Sequence, residues 1–225
     1  LNFWLTGNPL VNLRRMSPYF TSLNSASNGN CYYVGNSSEA VLVDAGISCR
    51  ETEKRMQSLG LDMQAVKAIF ISHEHSDHIT GLRILSKKYQ LPVYITDHTL
   101  RQSNLYIDTH LVRSFSADTP LNIGRLSITP FKKSHDACDP HSFVISYENV
   151  NIGVFTDIGI ACPQVIRYFR KCNAVFLEAN YCPDMLRTGN YPHHLKRRIS
   201  SSLGHLSNMQ ALELFMKFKS SRLTH

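Results

Sequence analysis

The chain has 225 residues, of which 43% are hydrophobic and 18% charged, a balance that fits one large globular domain and excludes a disordered chain or a membrane bundle. No apolar run nears the roughly 18 residues of a bilayer span, and residues 1–15 lack the basic-then-apolar layout of a secretory signal, so no membrane partner and a cytoplasmic location are the default expectation. The formal charge of +7 suits a partner that carries phosphates without requiring one.

Residues 1–15 show little periodicity and are set aside as an N-terminal extension or appended segment, which leaves 16–225 as a single domain. Short apolar runs bounded by Gly, Pro, Asp or Asn predict strands at Cys31 to Val34, Ala40 to Asp44, Ala68 to Ser72, Val93 to Ile95, Leu126 to Pro130, Phe143 to Tyr147, Ile152 to Thr156 and Ala174 to Glu178. Helices are predicted at Glu51 to Leu59, Ile79 to Tyr89, Gln164 to Lys171, Leu195 to Ser202 and Met209 to Lys217. The last of these follows Ser207-Asn208-Met209-Gln210, which has the form of a capping box. This order predicts two sheets with helices on their outer faces. The six cysteines form no C-x-x-C pair, so they read as reduced, mostly buried thiols rather than a zinc ribbon.

Polar residues gather where the predicted strands end, at Asp44, His73 to His78, His135, Asp157 and Glu178. The densest stretch is His73-Glu74-His75-Ser76-Asp77-His78, between a buried strand and a helix. An H-x-H pair on such a turn directs two imidazoles to one ion, and the D-H pair after it can serve a second ion about 3.5 to 4 Å away. The H-E-x-x-H metalloprotease pattern is excluded, because the residue four places after His73 is Asp77. Ligands restricted to nitrogen and oxygen suit zinc, manganese or iron. Alone, His135 reads as a loop histidine and Asp157 as a turn former.

H-x-H-x-D-H, then a lone histidine, then an aspartate at a strand end resembles the metallo-β-lactamase fold superfamily over nearly the whole chain. The resemblance implies a four-layer αββα sandwich with two divalent metal ions, zinc first among the candidates. By motif, His73, His75 and His135 would hold one ion, Asp77 and His78 the other, and Asp157 would bridge them. Superfamily members carry a last ligand histidine after one more strand. Here Met209 to Lys217 is followed by only eight residues, so His225 is a doubtful candidate and that strand is expected to be missing.

Leu177-Glu178-Ala179-Asn180 and Gly204-His205-Leu206-Ser207-Asn208 resemble elements of tRNase Z-like phosphodiesterases, which implies that Glu178 and His205 form a proton-donating pair. Asn28-Gly29-Asn30-Cys31-Tyr32-Tyr33-Val34-Gly35, Val43-Asp44-Ala45-Gly46-Ile47-Ser48, Ser134-His135-Asp136-Ala137 and Tyr191-Pro192 with its basic helix look like the YycJ/WalJ family. Cys182-Pro183 departs from that pattern, where an acidic residue is expected. The likeness implies a metal-activated hydroxide cleaving phosphodiester bonds, 5′-to-3′ exonuclease activity on DNA and a part in DNA repair. Asp77 would orient the water, with Glu178 and His205 as the other catalytic residues. Asn30, Asn180, His194, Lys196 and Arg197 are candidate substrate contacts. Two alternatives stand beside this reading: a small ester such as a cyclic phosphodiester, lactone or thioester as substrate, or a metal-binding protein whose catalysis is impaired.

Overall fold

The computed structural model describes residues 17–225; the set-aside segment 1–15 lies outside them. Two mixed sheets pack face to face. The first has strand order β1 (Tyr19–Ala26), β2 (Gly29–Gly35), β3 (Ala40–Val43), β4 (Val66–Phe70), β5 (Val93–Tyr94) and β6 (Val112–Arg113). Its first three strands are antiparallel, and the run from β3 to β6 is parallel. The second runs β11 (Ala174–Leu177), β10 (Val150–Phe155), β9 (His141–Tyr147), β8 (Leu126–Lys132) and β7 (Leu121–Ile123), with only the β10–β11 pair parallel.

Side-chain alternation along the strands builds three apolar layers. Val41, Val43, Ala68 and Phe70 of the first sheet meet Ile128, Phe143, Ile145 and Val154 of the second between the sheets. Leu42, Ile69 and Val93 face outward against Met56 of α1 (Cys49–Ser58), and Leu82 and Leu85 of α3 (Leu82–Tyr89). On the far side, Phe131, Val144 and Phe155 pack on Val165 and Phe169 of α5 (Pro163–Phe169) and on Leu214 of α8 (Asn208–Phe218). The order is αββα, as expected. Strands β2 and β3 are buried along their whole length, which explains why they read as continuous apolar runs.

Several expectations need correction. The single helix expected from Ile79 is two, α2 (Ser76–Ile79) and α3, because the loop after β3 inserts between them. Gly81 N donates to Ala45 O at 2.8 Å and Ala45 N to His78 O at 2.9 Å, while a Cβ on Gly81 would stand 2.0 Å from Ile47 O. Strand β1 was not foreseen, since its polar, half-exposed YFTSLNSA sequence gives a weak strand signal. Nor were α4 (Asp97–Ser103) and α6 (Pro183–Thr188), which bury only Thr99 and Leu186. The basic helix α7 occupies His193–Ile199 rather than Leu195 to Ser202. The α8 capping box forms as expected. All six cysteines are free, but only Cys31, Cys49 and Cys172 are buried.

Candidate metal centre

The ends of β3, β4, β8, β10 and β11 supply the polar cluster. Beyond β3, Asp44 N donates to Phe70 O at 2.8 Å, and the Asp44 carboxylate then continues the ladder by accepting from Ser72 N at 2.8 Å. This fixes the backbone leading into His73. Asp44 and Asp157 both adopt left-handed backbone, φ 62° and 50°, which Asp tolerates better than most residues. The turn after each strand therefore bends its carboxylate into the cluster.

The hydrogen-bond partners set each imidazole's tautomer. Ionised Asp44 can only accept, so His78 Nδ1, 2.7 Å from Asp44 Oδ2, carries a proton. Ser72 Oγ gives its single proton to Asp44 Oδ2 at 2.9 Å, and its lone pair therefore receives Nδ1–H of His73 at 2.8 Å. His135 Nδ1–H donates to Gly204 O at 3.1 Å. His73 and His135 are each left with an Nε2 lone pair directed inward, the arrangement that such outer partners impose on ligand histidines.

Ring nitrogens and carboxylate oxygens then crowd together. His73 Nε2 is 3.1 Å from His75 Nδ1, and His78 Nε2 is 2.9 Å from Asp157 Oδ2 and 3.4 Å from Asp77 Oδ2. His135 Nε2 is buried without a hydrogen-bond partner, and Asp157 Oδ2 is paired with His78. Ligand atoms of His73, His75 and His135 lie within 4.8 Å of one another, as do those of His73, His78 and Asp157. An all-N/O set gathered this closely, with the His135 Nε2 lone pair unsatisfied, fits divalent metal.

The electrostatics point the same way. Burial, then the charges of His78 and Lys133, hold His73 well below the usual imidazole range; burial and Lys133 push His135 down to about 4. Both rings are therefore neutral, as ligands must be. Burial opposes a charge on His78, but Asp44 and Asp157 outweigh it and raise its pKa well above the usual value. Burial likewise opposes the Asp157 carboxylate, whose pKa is nevertheless held well down by His78 and Lys133. Between these two groups either a proton or a metal ion satisfies the same need.

On the other flank of Asp157, Glu178 Oε1 accepts from His205 Nδ1 at 2.6 Å, with Asp157 Oδ1 3.4 Å from the same nitrogen. Glu178 Oε2 accepts from Ile158 N at 2.7 Å and Leu206 N at 3.2 Å, so one carboxylate pins both loops. Burial disfavours the imidazolium, but the Glu178 hydrogen bond and the Glu178 and Asp157 charges raise the His205 pKa above its ordinary value.

The sequence profile of the Beta-lactamase superfamily domain matches residues 39–225. Exodeoxyribonuclease YycJ of Bacillus anthracis is 36% identical over 201 residues, covering 87% of this chain and 75% of the relative. The chain belongs to this β-lactamase superfamily, in the YycJ/WalJ family. Exodeoxyribonuclease WalJ of Streptococcus pneumoniae is 30% identical over 90% of this chain and 77% of its own length. Among solved structures, the metallo-β-lactamase fold protein YhfI from Bacillus subtilis superposes with a TM-score of 0.67 at 18% identity, over 88% of this chain and 80% of that one. Zn(2+)-bound PqqB from Methylobacterium extorquens also gives 0.67, at 12% identity, over 85% and 73%.

As a member of this superfamily the chain is a hydrolase, and the structure brings most of the expected residues to one place. His73, His75, His78, His135, Asp157, Glu178 and His205 form one continuous cluster, and Asp77 joins it through His78. Asn30 reaches it as well, with Nδ2 3.2 Å from both Asp77 Oδ2 and His78 Nε2. Asn180 Nδ2 lies 3.5 Å from Glu178 Oε1. His225 does not belong. Its carbonyl accepts from Val175 N and its ring packs against Phe20, beside the start of β11 rather than its end. Lys196 donates to Arg187 O at 2.8 Å, whereas His194 and Arg197 are exposed on α7.

Three further residues of the site carry little signal in the sequence. Asp44 stands out there only as a polar strand end. Lys133 is buried, donates to Thr156 O at 2.7 Å, and lies among the charges of Asp157, Asp44 and Glu178; burial pulls its pKa down against them. Period-2 alternation from buried Phe131 places it inward, a signal hidden by the adjoining Lys132. Arg198 grips Asp136, the neighbour of His135, through both Nε and Nη2.

Proposed function

We propose that this protein is a metal-dependent exodeoxyribonuclease that degrades DNA from the 5′ end. The observation that carries the reading is the Glu178–His205 pair at 2.6 Å, set against Asp157 at the edge of the ligand cluster. It puts a proton donor where a departing alkoxide needs one. The likeness to the exodeoxyribonucleases of B. anthracis and S. pneumoniae and the excess of basic residues support DNA as the substrate.

His73, His75 and His135 would hold one divalent ion, Asp77 and His78 a second, with Asp157 between them; zinc is the first candidate, manganese or iron the next. Bound there, such ions would supply a water of lowered pKa and offset charge developing on the phosphate. Asp77, whose Oδ2 accepts from Asn30 Nδ2, orients the attacking water. Glu178 holds the His205 imidazolium by Nδ1–H, which leaves Nε2–H as the proton passed to the leaving oxygen. Six free thiols agree with a reducing cytoplasmic setting, and DNA repair is the process such degradation would serve.

The test is release of nucleotides by metal-loaded protein from DNA labelled at the 5′ or the 3′ end. Early loss of the 5′ label is expected, together with its abolition in Asp157→Ala and His75→Ala. Undiminished cleavage by those variants would sink the assignment, and early loss of the 3′ label would reverse the polarity.

A further inference from the structure

Residues 183–199 fold as a helical hairpin, α6 and α7, closed by the Lys196 ammonium on Arg187 O. Alone among the α-helices of the described residues, α7 buries no residue, and α6 buries only Leu186. Packing of an apolar face, the usual source of helix stability, is therefore nearly absent here. The hairpin is nonetheless fastened to the loop that carries His135. Arg198 holds Asp136 with two nitrogens, and just past α7 Ser202 O accepts from Ser134 Oγ at 2.9 Å. Leu203 O accepts from Asp136 N at 2.9 Å and Gly204 O from His135 Nδ1 at 3.1 Å.

The surface so fixed has a definite chemistry. It carries Arg187, Lys196, Arg197 and Arg198 against the single carboxylate of Asp184. Arg187 is paired with Asp184 and Arg198 with Asp136, whereas Arg197 projects into solvent. Beside it are exposed flat rings: Tyr191, 57% accessible, with His193 and His194. Cations interleaved with exposed rings suit a strand whose phosphates are paired and whose bases stack. A duplex keeps its bases stacked internally and offers these rings nothing to stack on.

We propose that the α6–α7 hairpin is the grip for a single DNA strand entering or leaving the metal centre, with Arg197 on a phosphate and Tyr191 under a base. This rests on the nuclease reading and adds to it a preference for single strands and the surface that confers it. The hairpin places basic charge at the rim of the metal centre, where an incoming strand first meets the protein.

The experiment is binding of metal-loaded protein to a fluorescent phosphorothioate oligothymidylate, which resists cleavage, and to a duplex of equal length, at several salt concentrations. Arg197→Glu is expected to weaken single-strand binding at least tenfold and to reduce the salt slope by about 0.7 for each phosphate that is no longer neutralised. Tyr191→Ala should cost about fivefold or more on the single strand and leave duplex binding unchanged. Lys54→Glu, an equal charge reversal on α1, should leave both near the wild-type values. Circular dichroism establishes that each variant is folded. Wild-type preference for the duplex, or equal losses in Lys54→Glu, would overturn the proposal. Wild-type binding that neither hairpin variant alters would also overturn it, with the nuclease reading intact. A wild-type protein that neither binds nor degrades DNA removes the nuclease reading itself.

Discussion

Asp44 is the buried hinge of the metal cluster, and Asp44→Asn tests it with almost no change of volume. The carboxylate is fully buried and accepts three hydrogen bonds, from Ser72 N at 2.8 Å, Ser72 Oγ at 2.9 Å and His78 Nδ1 at 2.7 Å. An amide keeps the first through its oxygen. Its NH2 takes the place of the second oxygen, and there Ser72 can turn its hydroxyl to accept. His78 has no such freedom. To avoid two opposed donors it must give up the Nδ1 proton and keep the one on Nε2, the nitrogen that faces Asp157 and Asp77.

Metal binding then has to return the proton to Nδ1 against the amide, at the cost of one buried, unsatisfied donor, about 1 to 3 kcal/mol. That corresponds to a fall in metal affinity of about fivefold to a little over a hundredfold, in line with the roughly 10- to 100-fold that removal of a ligand's supporting partner costs elsewhere. Titration of metal-free protein by calorimetry measures it directly. The expected isotherm keeps a tight phase belonging to His73, His75 and His135 and weakens the phase that depends on His78. Wild-type affinity in both phases would refute the tautomer argument, because the amide would then have been accommodated without displacing the imidazole proton.

Two other substitutions probe the charges around the cluster. Lys133→Met removes a buried cation and leaves Thr156 O without its donor, so metal-free protein should lose about 1 to 3 kcal/mol of stability. The same change deletes a positive charge beside the ions, so metal affinity should rise; thermal melts with and without metal measure both signs, and a parallel fall in both refutes the electrostatic role. Glu178→Gln acts on His205, whose protonated form is favoured by Glu178 against burial. Below the ordinary imidazole pKa the proton is present in either case, whereas above it only the wild-type pair retains it. The alkaline limb of kcat against pH should therefore move to lower pH, and an unmoved limb would separate His205 from the proton transfer.

What is legible in the sequence follows from where a residue's cost is visible. Three imidazoles and two carboxylates within six residues have no cheap structural use, so the His73 turn stands out, and each strand end with a polar residue can be ordered behind it. Asp44 and Lys133 show no such density. Asp44 acts by extending the β3–β4 ladder to Ser72, a role set by the register that pairs Val43 with Phe70, 27 residues on in the sequence. Lys133 is defined by compensation, since a buried ammonium is tolerable only among the carboxylates that the fold gathers from four other segments.

Geometry also sorts the basic residues of α7 and decides against the doubtful His225. Lys196 and Arg197 look equivalent in a run of three basic residues, but helical rotation turns Lys196 back onto Arg187 O, Arg198 inward onto Asp136, and leaves Arg197 outward. His225 matches a ligand by type and by order along the chain, yet its backbone pairs at Val175, three residues short of Glu178. At the roughly 3.3 Å rise of a strand that is about 10 Å from the cluster, too far for an imidazole. Residue type identifies which atoms can bind a metal, whereas strand register decides which of them arrive.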